Sequence, residues 1–231
     1  MTAAVLALIR GWLDLLRPRI FRVLALGVGL TLLLFVVLQV AVFWAIRAIG
    51  PDQLTLPWVG PIEIGSALSW GSLALFPVLG FFLMAPVAAG FAGLFTEQVA
   101  DTVEAVHYPA DRGRSGDFAD GVLESLAVVA AALGVAVGLL VLTPLIGPLA
   151  PVAFYLANGW LLGREFFQMA TRRHLPDDRA ADLRRRRGVA VTLLGVGVAV
   201  LLTIPVLNIA VPVLAAASFT HLFHLVRRPG D

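Results

Sequence analysis

Two similar proline-rich stretches interrupt the apolar second half of this chain: Leu142-Thr-Pro-Leu-Ile-Gly-Pro-Leu-Ala-Pro151 and Leu202-Thr-Ile-Pro-Val-Leu-Asn-Ile-Ala-Val-Pro212. They lie near the middle of the apolar segments 122–163 and 189–223, and their similarity indicates an internal repeat. Because proline removes a backbone donor and clashes with the preceding turn, each segment is predicted to be two short helices joined by a break at or inside a membrane. Broken helices at membrane depth commonly serve a transport pathway.

The arms on either side of each break allow two arrangements. In the first segment, residues 126–142 and 152–167 are either two full membrane spans or the arms of a hairpin that turns back within the bilayer. Arms of roughly 16 residues are about 24 Å long as helices, which is short against a hydrocarbon core of about 30 Å. We therefore favour partly penetrating broken hairpins over residues 122–167 and 189–226, with an arginine-rich cytoplasmic loop at 168–188 between them.

The composition of the chain is that of a membrane protein. Hydrophobic residues make up 59% of the sequence and the mean hydropathy is +0.91, which leaves too little polar surface for a soluble domain. Residues 23–46 and 66–95 are long and apolar enough to cross a bilayer as helices, and residues 1–22 are predicted to form an interfacial amphipathic helix anchored by Trp12. The fold class predicted is an all-α integral membrane protein with a single domain over residues 1–231.

The arginines predict the orientation of this domain. All 17 basic residues are arginine, and every one except Arg47 falls on the same side of the predicted membrane segments. The positive-inside rule therefore places both termini and the two larger loops in the cytoplasm. The net charge is only +2 and basic residues cluster only at 184–187, so no nucleic-acid partner is predicted.

Several kinds of chemistry are excluded or disfavoured by the residues present. The chain has no cysteine, which excludes thiolate metal ligands and disulfides. It also contains none of the common hydrolase, nucleotide-binding or dinucleotide-binding motifs, so it is not predicted to be an enzyme. His221 and His224 are three residues apart, but no acidic residue or cysteine near them in the sequence completes a ligand set, and neither a metal nor a cofactor is predicted.

One set of motifs resembles a known family. The principal motif is Asn158-Gly-Trp-Leu-Leu-Gly-Arg-Glu-Phe-Phe167, which is followed by Arg172-Arg-His174. Further matching motifs are Arg10-Gly-Trp12, Pro205-Val-Leu-Asn208 and Phe219-Thr-His-Leu-Phe-His224. Together they resemble the CysZ sulfate permease family, which shares its domain with etoposide-induced membrane proteins. The resemblance implies a bacterial inner-membrane protein that takes up sulfate for cysteine synthesis. It also implies an oligomer built from two long transmembrane helices and two pairs of partly penetrating helices.

The resemblance further implies a sulfate-binding motif. Family members open the first long helix with Gly-Leu-Arg-Arg, and the matching positions here are Arg19, Ile20, Phe21 and Arg22. Only two of the four residue types are kept, because the glycine is absent and the first arginine of the motif is replaced by Phe21. Arg19 and Arg22 at a helix N-terminus would still form an oxyanion site. The alternative is that they are ordinary positive-inside flanking charges.

Four polar residues are candidates for a transport pathway. Asn158, Arg164 and Glu165 lie at or near the cytoplasmic end of an apolar arm, where charged and amide groups suggest an aqueous cavity, although Arg164 and Glu165 could instead pair as structural contacts. Glu97 begins a stripe that continues through Asp101 and Glu104 on one helix face. That stripe would repel sulfate, so it is predicted to face solvent, to bind co-transported protons or to pair with arginines of residues 164–187.

Two classes of function follow from these features. The leading hypothesis is a sulfate permease or channel, facilitated or proton-coupled, with sulfate or a related oxyanion and the phospholipid bilayer as partners. A homo-oligomer is expected because so short a chain encloses little internal volume, and small residues such as Gly159 and Gly163 permit close helix approach. The alternative is a non-transporting membrane scaffold whose hairpins shape one leaflet.

Overall fold

Helices dominate the part of the chain that the structure describes. The computed structural model describes residues 2–49, 54–56, 60–62, 70–72, 95–114, 134, 138 and 147–227. Its helices are α1 (Thr2–Leu15), α2 (Pro18–Ile49), α3 (Thr96–His107), α4 (Ala150–Arg172), α5 (Asp177–Arg186), α6 (Gly188–Leu202), α7 (Pro205–Asn208) and α8 (Val211–Val226). Most of the predicted second span, residues 66–95, and most of the first arm of the first hairpin lie outside the described residues.

A short β-hairpin is an exception to the predicted all-α class. Strands β1 (Leu54–Leu56) and β2 (Gly60–Ile62) pair antiparallel, with Thr55 opposite Pro61. They lie in the proline- and glycine-rich connection after α2. Three residues per strand give too little buried area to form a layer of the fold.

The first long helix begins earlier than the sequence analysis predicted. Residues 1–22 are not one helix, because α1 ends at Leu15 and Pro18 opens α2. Proline is well suited to the first helical position, since its fixed φ matches the helix and its missing N–H would have no partner there. The segment Pro18–Ala48 is the one helix, within the described residues, that is long and apolar enough to cross a membrane.

Helix α8 forms the centre of the packed body. Nearly all of its residues are buried, and it contacts α1, α3, α4 and α6. Helix α1 approaches it closely at Gly11, where a Cβ atom would lie 2.1 Å from Oγ of Ser218. The small residues Ala4, Ala7 and Gly11 therefore face inward, whereas large apolar side chains such as Ile9 and Leu13 face outward.

Helices α4 and α6 pack antiparallel through glycines, in line with the small-residue prediction. Gly159 lies against Val196, and Gly163 lies against Val191. A Cβ atom on Gly195 would lie 1.9 Å from the carbonyl oxygen of Gly159, so the two backbones are almost in contact. This contact brings the start of α4 beside the end of α6.

The second break occurs where its prolines predicted it. Helix α6 stops at Leu202, and the short α7 separates it from α8. A 3₁₀ turn at Gly147–Leu149 precedes α4, and Gly147 has a positive φ of 49°.

The predicted loop at residues 168–188 is wrong in detail, because α4 continues to Arg172 and α5 occupies Asp177–Arg186. Acidic residues in the first turn of α5 and arginines in its last turn favour a helix through the helix dipole.

Candidate functional site

A buried arginine gathers the acidic stripe of α3. Arg173 caps the C-terminal end of α4, and only 1% of its side chain is exposed. Its guanidinium lies 3.0 Å from Oε2 of Glu104 and 3.4 Å from Oδ1 of Asp101, and it also pairs with Glu97. Residues 97, 101 and 104 share one helix face, so a single arginine reaches all three. We call Arg173, Glu97, Asp101 and Glu104 the arginine–carboxylate cluster.

Glu104 is the fully buried member of this cluster. Its Oε2 also accepts a hydrogen bond of 2.9 Å from the backbone N–H of Gly113. Burial by itself raises the pKa of Glu104, but the neighbouring His174, His224 and Arg173 side chains and the N–H of Gly113 outweigh it and hold that pKa well below its usual range. Glu104 is therefore an ionised carboxylate in a site without solvent contact.

Two further groups of side chains combine a buried carboxylate with two histidines. The Asp14 triad consists of Asp14, His107 and His221, and the Glu104 triad consists of Glu104, His174 and His224. Together the two triads contain all four histidines of the sequence. They join residues of α1, α3, α8 and the turn after α4, which lie far apart in the chain.

Hydrogen bonds satisfy the Asp14 triad. Oδ1 of Asp14 lies 2.9 Å from Nε2 of His107, and Oδ2 lies 2.8 Å from Nε2 of His221. Arg17 completes the shell of the carboxylate. Burial raises the pKa of Asp14, but the hydrogen bonds from His221, His107 and Arg17 more than offset this and lower the pKa overall.

Tyr108 connects the two triads. Its hydroxyl lies 2.9 Å from Nδ1 of His221, and its ring stacks on His224 with centroids 3.8 Å apart. Burial raises the pKa of Tyr108 more than the hydrogen bond from Arg10 lowers it, so the hydroxyl stays protonated. When His221 donates from Nε2 to Asp14, its Nδ1 accepts the hydrogen bond from Tyr108.

An open pocket lies beside the Glu104 triad. Its volume is about 480 Å³, and Asp111 and His174 lie in its wall. Its arginines are Arg112, Arg114, Arg172, Arg173 and Arg227. Four of them have carboxylate partners, whereas Arg114 forms no ion pair with any described residue. Guanidinium groups around an open pocket are suited to binding an oxyanion.

The predicted sulfate motif lies at the first turn of α2, just after Arg17, which bonds to Asp14. Arg19, Phe21 and Arg22 are exposed, whereas Ile20 is 1% exposed and offers only its backbone. The N–H groups of Arg19 and Ile20 belong to the helix start, where no helical carbonyl precedes them. Arg19 and Arg22 are three residues apart and form no ion pair with described residues, so both side chains are available to an anion.

The predicted pathway residues are not brought together. Asn158 donates a 2.9 Å hydrogen bond to the carbonyl of Phe154 on its own helix, Arg164 is exposed, and Glu165 is half-buried. Only Glu97 joins the arginine–carboxylate cluster. Of the three possibilities for the acidic stripe, pairing with an arginine of residues 164–187 is confirmed, and a wholly solvated face is wrong because Glu104 is buried.

The main buried groups were not identified as a site from the sequence. Asp14 is the one acidic residue before Asp52 in the sequence. An isolated acidic residue in an apolar segment often has a functional role, and this feature could have identified Asp14 from the sequence. Arg173 and His174 lie in one motif of the family resemblance, and His221 and His224 lie in another. The expectation that no carboxylate accompanies these histidines is wrong, because Asp14 and Glu104 reach them through the fold.

Comparison with known proteins gives one family. A family profile described as "Sulfate transporter CysZ/Etoposide-induced protein 2.4" matches residues 7–212 of the 231 in the chain. A search of curated proteins gave no match. The matched range contains Asp14, Arg173 and the first turn of α2, whereas His221 and His224 lie beyond its end.

Proposed function

Because the chain belongs to the sulfate transporter CysZ and etoposide-induced protein 2.4 family, we propose that it is a sulfate permease. In this proposal it takes up sulfate across a bacterial inner membrane and supplies cysteine biosynthesis. The family match over residues 7–212 is the observation that carries the proposal. The role is transport and not catalysis.

The surface of α2 supports a place in the membrane. Large apolar side chains cover its outside, and examples are Leu33, Val36 and Trp44 with exposed fractions of 59%, 61% and 62%. In water such a surface would be a strong aggregation hazard, whereas lipid tails would cover it without cost. We propose a multi-pass protein with both termini in the cytoplasm, on the positive-inside argument.

Arg19 and Arg22 are the proposed sulfate contacts. Both are exposed beside the unpaired amides of the α2 start, so side chains and backbone can replace part of the hydration of an oxyanion. The arginine-lined pocket offers Arg114 as a further cation near the same proposed face of the membrane. Several subunits would be needed to enclose a complete path, and we propose a homo-oligomer.

The membrane potential determines what the transport needs energetically. Moving a dianion inward against a negative-inside potential of 100 mV costs about 4.6 kcal/mol, at about 2.3 kcal/mol per charge. Accumulation therefore requires co-transported protons or rapid consumption of sulfate in the cell. A pH gradient across proteoliposomes separates the two, because only proton coupling makes uptake depend on it.

Substitution of the proposed contacts tests the proposal. We expect Arg19→Ala/Arg22→Ala to reduce saturable uptake of radiolabelled sulfate by proteoliposomes at least about tenfold, since two charge-assisted contacts are lost. The matched control is Arg179→Ala/Arg185→Ala, which removes the same charge from exposed arginines of α5 that have no ion pair with described residues. Equal uptake by both variants would mean that Arg19 and Arg22 do not contact sulfate and only help to orient the chain in the membrane.

A further inference from the structure

The Glu104 triad places three metal-binding atoms close together. Glu104, His174 and His224 each offer one ligand atom, and these three atoms all lie within 4.8 Å of one another. Oε1 of Glu104 is 2.9 Å from Nε2 of His174 and 3.9 Å from Nε2 of His224. Ligands about 2.1 Å from a tetrahedral ion are about 3.4 Å apart, so small side-chain rotations would bring all three into a coordination shell.

One of these atoms has an unsatisfied hydrogen-bonding capacity. Nε2 of His224 is buried and has no hydrogen-bond partner among the described residues, and only 5% of the His224 side chain is exposed. A buried polar atom without a partner costs free energy unless a ligand, ion or water satisfies it. This nitrogen faces Glu104, so an ion held by Glu104 and His174 would supply the missing partner.

An outer carboxylate lies beside both histidines. Oδ1 of Asp111 lies 3.5 Å from Nδ1 of His174, and Oδ2 of the same group lies 3.5 Å from Nδ1 of His224. A carboxylate beside Nδ1 favours a hydrogen there, so an ion that replaces the hydrogen bond from Nε2 of His174 to Glu104 would meet the lone pair of that nitrogen. Histidine ligands in metal sites commonly have such a carboxylate on their other nitrogen.

The remaining oxygen of Glu104 is also held in place. Oε2 accepts hydrogen bonds from Gly113 N–H at 2.9 Å and from Arg173 at 3.0 Å, and Oε1 lies toward the histidines with a longer contact of 3.3 Å from Nε of Arg173. Carboxylates offset the arginines around the site. Four carboxylates here pair with three arginines. The carboxylates belong to Glu97, Asp101, Glu104 and Asp111, and the arginines are Arg112, Arg173 and Arg227.

The Asp14 triad provides the contrast. Both of its Nε2 atoms already bond to the oxygens of Asp14, and Nδ1 of His221 bonds to Tyr108. Arg17 occupies the carboxylate as well. Both Nε2 atoms of this group therefore have a hydrogen-bond partner, whereas in the Glu104 triad Nε2 of His174 bonds to Glu104 and Nε2 of His224 has no partner among the described residues.

We propose that Glu104, His174 and His224 bind a divalent transition-metal ion, for which Zn²⁺ is the best match. Two imidazole nitrogens and one carboxylate oxygen are a donor set that suits zinc, whereas Mg²⁺ and Ca²⁺ prefer oxygen ligands alone. The ion ties α3, the turn after α4 and α8 together at their polar ends. This site is independent of the proposed sulfate transport, because it requires neither Arg19 nor Arg22.

Zinc binding by the purified full-length chain tests the proposal. The protein carries an affinity tag without histidine, is stripped with a chelator in detergent and is then dialysed against ZnCl₂ with excess MgCl₂. We expect one zinc ion per chain, measured by mass spectrometry of the metal. Failure of the wild-type protein to retain zinc overturns the proposal without reference to any variant.

Matched variants locate the ion. His224→Phe keeps a ring to stack on Tyr108 but removes the nitrogen, and we expect zinc affinity to fall at least about a hundredfold. His107→Phe makes the same change in the Asp14 triad, and it should retain one zinc ion. Unchanged binding by His224→Phe, or loss confined to His107→Phe, overturns the assignment.

Two further measurements test the proposed site even if the His224→Phe variant does not fold. Asp111→Asn changes an exposed side chain, and we expect about a 10- to 100-fold loss of zinc affinity because it removes the outer carboxylate. Co²⁺ in place of Zn²⁺ should give visible absorption bands of a four- or five-coordinate site in the wild-type protein. Equal affinity of Asp111→Asn and wild type, together with a Co²⁺ spectrum like that of the aqueous ion, counts against the site.

Discussion

At the scale of single residues, Arg173 and Glu104 form an ion pair whose side chains are 1% and 0% exposed. Such a pair contributes little net stability, because desolvation offsets most of its attraction. Removing one partner is different, since it leaves an uncompensated charge inside the protein. The pair therefore specifies how α3 meets the end of α4 more than it adds to stability.

Replacing this arginine should be strongly destabilising. Arg173→Met keeps most of the side-chain volume but leaves Glu104 buried without its cation, at a cost of about 3–5 kcal/mol. The control is Arg185→Met on exposed α5, which we expect to be nearly neutral. Thermal unfolding in detergent would show a clear drop in Tm for the first variant alone, and equal Tm values would mean that the buried pair is not formed.

At the scale of elements, glycines set the distance between helices. Helices α4 and α6 approach so closely at Gly159 and Gly195 that neither position has room for a side chain. Close backbone approach of this kind is a common way to pack helices where no hydrophobic effect drives association. It also places the described end of the first proline-rich stretch, before α4, at the same end of the helix pair as the second stretch, after α6.

A single methyl group tests this packing. Gly195→Ala puts a Cβ atom on the backbone oxygen of Gly159, which cannot move aside as a flexible side chain would, so we expect a loss of about 1–3 kcal/mol. Gly29→Ala in α2 meets no atom within 4 Å and should be neutral or slightly stabilising. Melting temperatures of the two variants give the comparison, and an unchanged Gly195→Ala protein would contradict the packing.

The elements differ in how far the sequence predicted them. The break before Pro205 and the close approach at Gly159 were predictable, because proline and small residues act locally. Helix α5 was not, since it lacks an apolar stripe and is favoured by charge at its ends. The two triads were out of reach for another reason: Asp14 and His221 are 207 residues apart, and only the tertiary fold brings such groups together.

At the scale of the whole molecule, α2 presents its apolar side outward. Only 17% of the most apolar 18-residue stretch of α2 is buried inside the protein. The polar groups collect at the ends of α3, α4 and α8 instead. An apolar exterior beside a polar end is the arrangement expected of a chain that lies partly in lipid.

A charge placed on this surface distinguishes lipid from water. Leu33 lies at the middle of Pro18–Ala48 and is 59% exposed, so Leu33→Asp is harmless if that surface meets water. In a bilayer it costs about 2.5–3.5 kcal/mol at the helix centre. We expect less protein in the membrane fraction after expression, whereas Arg185→Asp should leave that fraction unchanged. An unaffected Leu33→Asp protein would argue against a membrane span.

Transport of sulfate is the central claim, and its most direct test is uptake of radiolabelled sulfate by proteoliposomes that contain the wild-type chain. The account predicts saturable uptake above that of empty liposomes, with competition from unlabelled sulfate. Uptake equal to that of empty liposomes, by protein whose folding is confirmed by circular dichroism, would contradict it and favour a membrane scaffold.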